Sequence, residues 1–212
     1  MPPHNMTMCL AGTAMLWVGW FGFNGGSALA ANGTAAMAIV VTHISPCVAA
    51  LVWLLIEWFK IGKPSALGFA TGAIAGLAAI TPAAGFVGPV GAVVIGSISG
   101  AVCYVAATSL KRAFKYDDAL DVVGVHGAGG LVGSLLVAIF ASPHFGGFKD
   151  DVVIVRQLGV QLAAIVFTIF YCGIASVIIL KSLGAVTGLR VSAEHEEVGL
   201  DLASHGEVGY DL

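Results

Sequence analysis

The strongest constraint on this chain is a series of six long apolar runs, each near or above the ~20 residues that an α-helix needs to cross a lipid bilayer. The runs cover roughly residues 6–27, 34–59, 65–81, 86–110, 120–141 and 152–186. The third is the shortest, and Thr81-Pro82 marks its end. Because 58% of the residues are hydrophobic and only 10% are charged, a soluble domain of this length could not bury the apolar surface. The sequence therefore predicts an all-α polytopic membrane protein with six transmembrane helices.

The distribution of positive charge predicts the orientation of these helices. If the first helix starts in the cytoplasm, seven of the nine Lys and Arg residues lie in cytoplasmic segments, namely Lys60, Lys63, Lys111, Arg112, Lys115, Lys181 and Arg190. The opposite side has only Lys149 and Arg156. This bias fits the positive-inside rule, so both ends of the chain are predicted to be cytoplasmic. Six of the 12 acidic residues follow Arg190, so we predict a transmembrane region over residues 1–189 and a cytoplasmic tail over residues 190–212.

The apolar run from Val122 to Phe140 contains a single ionisable side chain, His126. An ionisable ring is costly in lipid, so we expect it to face a protein interior or a cavity, where such residues usually have a function. The alternative is a core histidine whose ring is satisfied by a neighbouring helix. Five glycines thin the helix around His126 for close packing, and they favour the functional interpretation.

The helix face around His126 is predicted to be narrow and apolar, because Val122 lies one turn before the ring and Gly130 one turn after it. Gly129 and Gly133 form a small-xxx-small pattern that suits contact with a neighbouring helix. The imidazole could hydrogen-bond a polar solute or pass a proton, since its two nitrogens can exchange donor and acceptor roles.

A second candidate face lies on the first predicted helix, where Trp20, Phe23 and Ser27 occupy positions i, i+3 and i+7. Two aromatic rings and a hydroxyl on one face suit a pore wall that meets a small cation. The rings offer π faces, and the hydroxyl replaces one hydrogen bond of the lost hydration shell. The alternative, which is the commoner use of such a stripe, is an interfacial anchor or core packing.

The remaining ionisable residues of the apolar runs give weaker predictions. His43 lies in the middle of the second run beside Pro46, and we expect it to matter less than His126. Asp117, Asp118 and Asp121 precede the His126 helix, and we interpret all three as helix-entry residues.

An enzymatic function is the least favoured hypothesis. An intramembrane serine protease would have to pair Ser99 with His126, and the segment Gly96-Ser97-Ile98-Ser99-Gly100 lacks the glycine two residues before the serine that a nucleophile elbow requires. The four cysteines lie in apolar runs without metal-like spacing. We therefore predict no enzymatic activity, no metal or other cofactor, and no nucleic-acid partner.

Two longer segments contain the candidate residues, and they are Gly19-Trp20-Phe21-Gly22-Phe23-Asn24-Gly25-Gly26-Ser27 and Asp121-Val122-Val123-Gly124-Val125-His126-Gly127. Both closely resemble the ammonium transporter family (Amt/Mep/Rh). Supporting matches are Pro3-His4-Asn5, Gly62-Lys63-Pro64-Ser65, Gly72-Ala73-Ile74-Ala75-Gly76-Leu77, Thr81-Pro82, Gly188-Leu189-Arg190-Val191, Gly199-Leu200-Asp201 and Ser204-His205-Gly206-Glu207. The resemblance covers essentially the whole chain.

The resemblance implies an eleven-helix fold, built as two inverted five-helix repeats plus a last long helix, that assembles as a homotrimer with one pore in each subunit. This chain resembles the second repeat, the last helix and the cytoplasmic tail. In the family the first repeat supplies a partner histidine, the outer Trp and Phe of the cation site and a buried aspartate, and none of these has a counterpart here. We therefore expect the chain to be a partial subunit.

The resemblance also implies roles for individual residues in ammonium transport and nitrogen uptake. Ser27 and Phe23 match the outer site that recruits the ammonium ion, and Phe23 also matches one of two stacked gating phenylalanines. Trp20 matches a pore-lining indole and His126 one of twin pore histidines, with Val122 beside it on the wall. The implied mechanism is recruitment of NH4+, deprotonation, and passage of neutral ammonia through a hydrophobic pore.

The same resemblance implies a location and partners. The protein is expected in the cell membrane as a multi-pass channel or transporter, with a tail that contacts neighbouring subunits and a P-II type signalling protein. A non-conducting half-subunit, which packs against or regulates full-length relatives, is the second hypothesis.

Overall fold

The computed structural model describes residues 3–209 of the chain, and its regular structure there is helical. We number the helices α1 (Met6–Gly26), α2 (Gly33–Ile61), α3 (Ala66–Ile80), α4 (Pro89–Phe114), α5 (Val122–Phe140), α6 (Ile154–Val186) and α7 (Ala193–Val198). The first six begin and end close to the six predicted apolar runs. The all-helical fold class is therefore confirmed.

Of the first six helices, five are long and apolar enough to cross a membrane, and α3 is the exception with 15 residues. The third run was already the shortest in the sequence. Its helix ends at Ile80, just before Thr81-Pro82. Proline has no backbone N–H, so it cannot donate the hydrogen bond that a carbonyl of the preceding turn would accept in a continued helix. Several membrane-length helices confirm a multi-pass membrane protein, whereas six full crossings remain a prediction.

Side-chain caps fix where the first three helices begin. Asn32 Oδ1 accepts a hydrogen bond from the Ala35 amide at 3.0 Å, and Ser65 Oγ accepts one from the Gly68 amide at 2.8 Å. Both satisfy an N–H group that a helix start leaves without an intrahelical partner. Asn5 caps α1 in the same way.

The chain divides into two compact units, Met1–Ile165 and Val166–Leu212, and the boundary falls inside α6. In the first unit α2, α3 and α4 pack on one another, while α1 and α5 pack on this trio. Small residues dominate the contacts. A Cβ on Gly76 would lie 2.7 Å from the Ser45 carbonyl oxygen, and one on Gly96 would lie 3.1 Å from Ser45 Cα. The three helices therefore touch through their backbones.

A buried carboxylate joins the end of α2 to the start of α3. Glu57 accepts hydrogen bonds from the Ser65 amide at 2.7 Å, the Ser65 hydroxyl at 3.1 Å and the Trp53 indole at 3.3 Å. A carboxylate beside a helix N-terminus is also favoured by the helix dipole. These contacts fix the start of α3. The two helices with the candidate residues, α1 and α5, both pack on α3.

The second unit contains the end of α6 and the tail. Ser192 caps the short α7 through the His195 amide, and Arg190 binds Glu196 through two hydrogen bonds of 2.6 and 3.0 Å. The hydrogen bonds from this guanidinium lower the pKa of the Glu196 carboxyl below its usual value. The described part of the tail, up to residue 209, therefore has local structure that a uniform solvated charge run would lack.

Candidate functional site

An open groove follows one face of α1. It has a volume of about 430 Å³ and is lined by Met15, Leu16, Gly19, Trp20 and Phe23. These residues recur at spacings of one helical turn, so their side chains lie on the same side of the helix. Every lining residue is apolar or aromatic, and the groove can therefore accept a small apolar molecule or a small cation that lies over the face of a ring.

A hydrogen bond to the region after α3 fixes the indole of this groove. Trp20 Nε1 donates to Thr81 Oγ1 at 2.7 Å, and the Thr81 hydroxyl itself donates to the Leu77 carbonyl at 2.7 Å. The Phe23 ring lies edge-on to the Trp20 ring, with 6.2 Å between their centroids. Phe23 remains 62% exposed, so its ring has room beside an anchored indole.

Ser27 caps the C-terminal end of α1 and is exposed. Its hydroxyl donates to the Phe23 carbonyl at 2.6 Å, which uses its only proton and leaves its oxygen free to accept. The structure thus brings Trp20 and Phe23 together in the groove and places Ser27 one turn beyond them. An oxygen that can only accept suits a donor such as a cation with N–H groups.

His126 lies in a π-helical turn, Val122–Gly127, with which α5 begins. The side chain is exposed, Val122 beside it is 52% exposed, and a Cβ on Gly130 would meet no atom within 4 Å. The side of α5 that holds these three residues is therefore open in this chain. Within residues 3–209 the His126 side chain is exposed, so these residues do not provide its predicted enclosure.

The opposite side of the same turn is tightly packed. Val125 is buried, and its carbonyl accepts a hydrogen bond from the buried Cys103 thiol at 3.6 Å. Further along α5, a Cβ on Gly129 would lie 3.3 Å from the Ala75 carbonyl oxygen of α3, and Gly133 lies against Ala79. The predicted small-xxx-small contact of Gly129 and Gly133 with a neighbouring helix is confirmed.

Acidic residues hold the entry to this turn. The two carboxylate oxygens of Asp118 accept hydrogen bonds from the Val122 and Val123 amides at 2.8 and 2.9 Å. The helix-entry interpretation is therefore confirmed for Asp118. Asp121 has another role: it adopts a left-handed backbone conformation with φ 54° and binds Lys111 Nζ at 2.7 Å.

The two open faces are supported by the same helix, since α1 and the first turn of α5 both pack on α3. The structure does not pair Ser99 with His126. Ser99 is fully buried and its hydroxyl donates to the Gly96 carbonyl at 3.1 Å, whereas His126 is exposed. Among residues 3–209, no group of three or more His, Cys, Asp or Glu side chains could hold a metal ion.

A second face of α1 was not foreseen from the sequence. Trp17 and Phe21 contact the ring of His43 on α2, with centroid distances of 5.5 and 5.9 Å. Their i, i+4 spacing is visible in the sequence, but their partner on another helix is not. The Trp17 indole N–H is buried and, in the described part of the chain, has no hydrogen-bond partner.

Two polar contacts beside the groove were also missed. Asn24 Nδ2 donates to the Thr42 hydroxyl at 2.9 Å, and both side chains are buried between α1 and α2. Thr81, which accepts the Trp20 hydrogen bond, was interpreted as the end of an apolar run and as part of a family match, without a hydrogen-bonding role. A side-chain amide such as that of Asn24, in an apolar segment, is expected to have a hydrogen-bond partner when it is buried. The sequence does not show which residue that partner is.

A family model described as the Ammonium Transporter Family matches residues 1–210 of the chain. The ammonium transporter Amt1 of Archaeoglobus fulgidus is 51% identical over 209 residues, which cover 98% of this chain and 53% of that protein. An ammonium transporter of Aquifex aeolicus is 46% identical over 99% of this chain and 50% of its own length. The chain spans about half the length of the curated relatives it matches.

Solved structures of similar proteins share the fold. A sensor Amt protein superposes with a TM-score of 0.87 at 33% identity over 95% of this chain and 49% of its own. Saccharomyces cerevisiae Mep2 gives a TM-score of 0.82 at 38% identity, over 91% of this chain and 48% of its own. With a family model matched over nearly its whole length and half-identical relatives, the chain belongs to the ammonium transporter family.

Proposed function

We propose that this chain forms one wall of a pathway that carries ammonium across the cell membrane as neutral ammonia. The single observation that supports this most is the pair of open faces around α3, namely the aromatic groove of α1 and the exposed His126 of α5. Membrane proteins enclose such polar and ionisable groups with protein rather than leaving them to lipid. The family's transport function gives the two faces a common purpose.

The outer step of the proposed mechanism is recruitment of NH4+ by Ser27 and Phe23. The Ser27 hydroxyl already donates to the Phe23 carbonyl, so its oxygen can only accept a hydrogen bond from the ion. The exposed Phe23 ring and the anchored Trp20 ring offer π faces to the same charge. Together these groups replace part of the hydration shell that the ion loses.

The inner step is passage of the neutral molecule along the wall formed by Trp20, Val122 and His126. An apolar wall raises the energy of a charged species far more than that of ammonia, so the ion must first transfer its proton to a base, either water at the open outer site or the His126 imidazole. The imidazole of His126 can accept or donate a hydrogen bond to ammonia from one nitrogen while the other exchanges a proton.

The opposite wall of the proposed pathway is supplied by a first repeat, as the family resemblance implies. In that arrangement α1 to α6 correspond to six transmembrane helices of the C-terminal half of an eleven-helix fold. Residues 1–189 then form the transmembrane region, and residues 190–212 lie in the cytoplasm. The half-length match to the relatives supports this proposal.

Assembly and regulation are proposed from the family and from the tail. We expect a homotrimer with one pore per subunit, and a P-II type signalling protein at the cytoplasmic face. The Arg190–Glu196 pair and the capped α7 support a tail with a defined surface rather than a disordered one. Deletion after Arg190 in the complete transporter should then lower uptake without preventing membrane insertion.

A second candidate function is a non-conducting half-subunit with a structural or regulatory role in a membrane assembly. It is favoured by the same exposure of His126 and Phe23, because within residues 3–209 neither has a facing wall. In this case the two faces would dock on a full-length relative instead of conducting.

A chimera separates the two functions. This chain would replace the matched half of Archaeoglobus fulgidus Amt1, and the fusion would be expressed in cells without ammonium transporters. We expect growth on limiting ammonium and uptake of methylammonium, with unmodified Amt1 as the positive control. A chimera that inserts normally but gives no uptake would contradict the transport proposal.

The 212-residue chain alone, purified into proteoliposomes, provides the complementary measurement. We expect no uptake above that of empty liposomes, because one wall does not enclose a pathway. Uptake by the chain alone would contradict the proposed need for a first repeat and would point to a pore built from two copies.

A further inference from the structure

Two π-helical turns on neighbouring helices pack against each other beside His126. One is Ala106–Leu110 within α4 and the other is Val122–Gly127 at the start of α5. The two turns touch at Gly124, where a Cβ would lie only 2.7 Å from Ala107 Cα. Single π turns are uncommon and recur at functional sites, because the wider turn rotates the following side chains relative to a regular helix. The direction of the His126 side chain therefore depends on this turn.

The loop before the turn, residues 115–121, is held by one cation. Lys111 Nζ donates to the Asp121 carboxylate at 2.7 Å and also to the Asp118 carbonyl oxygen. Both side chains are shielded, with relative exposures of 25% for Lys111 and 32% for Asp121. A partly shielded pair of this kind is less weakened by solvent than a pair on an open surface.

The residue bound by Lys111 has an unusual backbone. Asp121 has φ 54° and ψ 34°, in the left-handed region that residues other than glycine seldom adopt. A non-glycine residue keeps such a conformation when surrounding contacts fix it. The Asp121 carbonyl in turn accepts a hydrogen bond from the Val125 amide at 2.8 Å. Contacts thus run from the Lys111 ammonium through Asp121 to the residue that precedes His126.

We infer that Lys111 is a positioning residue for His126, because its ion pair with Asp121 holds the left-handed entry of the π turn that directs the imidazole to the open face. The neighbouring Arg112 provides a matched control. It carries the same charge on the next position, but its Nε donates to the Thr108 carbonyl of its own helix. If charge near this loop were sufficient, both residues would have the same effect.

The first test measures the His126 ring directly. The 212-residue chain, labelled with ¹⁵N-histidine, would be placed in lipid nanodiscs, and the His126 signals would be assigned by their absence in His126→Gln. We expect Lys111→Met to shift or split these ring signals, Arg112→Met to leave them in place, and Lys111→Arg to restore them. Unchanged signals in a folded Lys111→Met chain, or equal shifts with Arg112→Met, would overturn the inference.

Asp121→Asn keeps the inference testable if Lys111→Met does not insert into the membrane. The amide preserves the size and one acceptor oxygen of the carboxylate but removes its charge. We expect this variant also to shift the His126 signals, with the signals of the other five histidines unmoved. No shift in Asp121→Asn would then overturn the inference by itself.

A transport measurement extends the test, and this part alone rests on the proposed function. In the chimera with Archaeoglobus fulgidus Amt1, Lys111→Met should lower the maximal rate of methylammonium uptake, on the order of tenfold for a displaced group in a pathway. The half-saturating concentration should stay the same, since Trp20, Phe23 and Ser27 lie on another helix. Absence of uptake in the unmodified chimera would contradict the proposed function, whereas equal uptake with and without Lys111→Met would contradict the positioning role.

Discussion

His43 and His126 are both exposed imidazoles in apolar helices of the same chain, yet their surroundings differ in kind. The His43 ring contacts two aromatic rings of α1 and lies 3.9 Å from the Cys47 thiol of its own helix. Among the described residues, the His126 ring has no aromatic or hydrogen-bonding partner, although the backbone beneath it is packed and capped. His43 is therefore used as a packing ring, whereas at His126 the protein holds the backbone and leaves the ring available.

The largest expected effect separates the two histidines by function. In the chimera that completes the pathway, His126→Ala should lower ammonium uptake at least about tenfold, or let charged species leak, because it removes one of the two pore histidines that the family resemblance implies. His43→Ala should keep uptake within about twofold, as expected for a residue outside the pathway. Methylammonium uptake and membrane currents would be measured on both variants. Equal losses of uptake in the two variants would contradict the special role of His126.

The next effect concerns the backbone beneath His126. Asp118→Ala removes the two hydrogen bonds to the Val122 and Val123 amides and should lower the free energy of unfolding by about 1 kcal/mol, the usual contribution of a helix cap. Asp117→Ala, an exposed neighbour, should change it by less than about 0.5 kcal/mol. Thermal unfolding in detergent, followed by circular dichroism, measures both. An unchanged free energy of unfolding in Asp118→Ala would show that packing alone stabilises the turn.

The third expected effect is a loss of stability when the packing ring of His43 is removed. His43→Ala should lower the free energy of unfolding by about 1 kcal/mol, since it removes ring contacts with Trp17 and Phe21. His43→Phe keeps a ring between them and should stay within about 0.5 kcal/mol of the unchanged chain. The same unfolding assay applies. If His43→Phe were as unstable as His43→Ala, the imidazole nitrogens would matter and the contrast with His126 would weaken.

The smallest expected effect is a change in the pKa of Glu196, which lies in the tail, far in sequence from both histidines. The pKa of Glu196 lies below its usual value of 4.5, so the Arg190 pair stabilises the tail fully above pH 4.5 and is lost as the pH falls through the folded pKa. Arg190→Gln should return the pKa of Glu196 towards its usual value. A ¹³C-carboxyl titration by NMR would show this shift, with Arg156→Gln as the control. An unmoved titration midpoint would mean that the ion pair does not persist in solution.

The helices were predictable from the sequence, because membrane-length apolar runs need no knowledge of neighbours. The runs 6–27 and 152–186 correspond closely to α1 and α6, and the short third run became the 15-residue α3. The contact surface of Gly129 and Gly133 was also predictable, since small residues four apart indicate a close helix partner wherever that partner lies. Local pattern was sufficient in each case.

The arrangement around the candidate site was not predictable in the same way. The contact of His43 with Trp17 and Phe21 depends on the rotation of α2 against α1, which no local pattern records. The π turn that contains His126 shifts the helical register, and a periodicity of 3.6 residues cannot foresee that shift. Asp121 was interpreted as a helix-entry residue, but its left-handed backbone turns its carboxylate to Lys111, ten positions earlier in the chain.

The backbone contacts around Ser45 have a mechanical consequence. When helices slide, side chains can change rotamer to follow the motion, but Gly76 and Gly96 leave only main-chain atoms at the contact, which have no such freedom. Translation of α3 or α4 along α2 would force carbonyl oxygens into Cα atoms, so the three helices are stiff against shear. In the proposed pathway, rotation of the Phe23 ring is then the least hindered way to change the width beside α1, because this ring is exposed near the end of its helix.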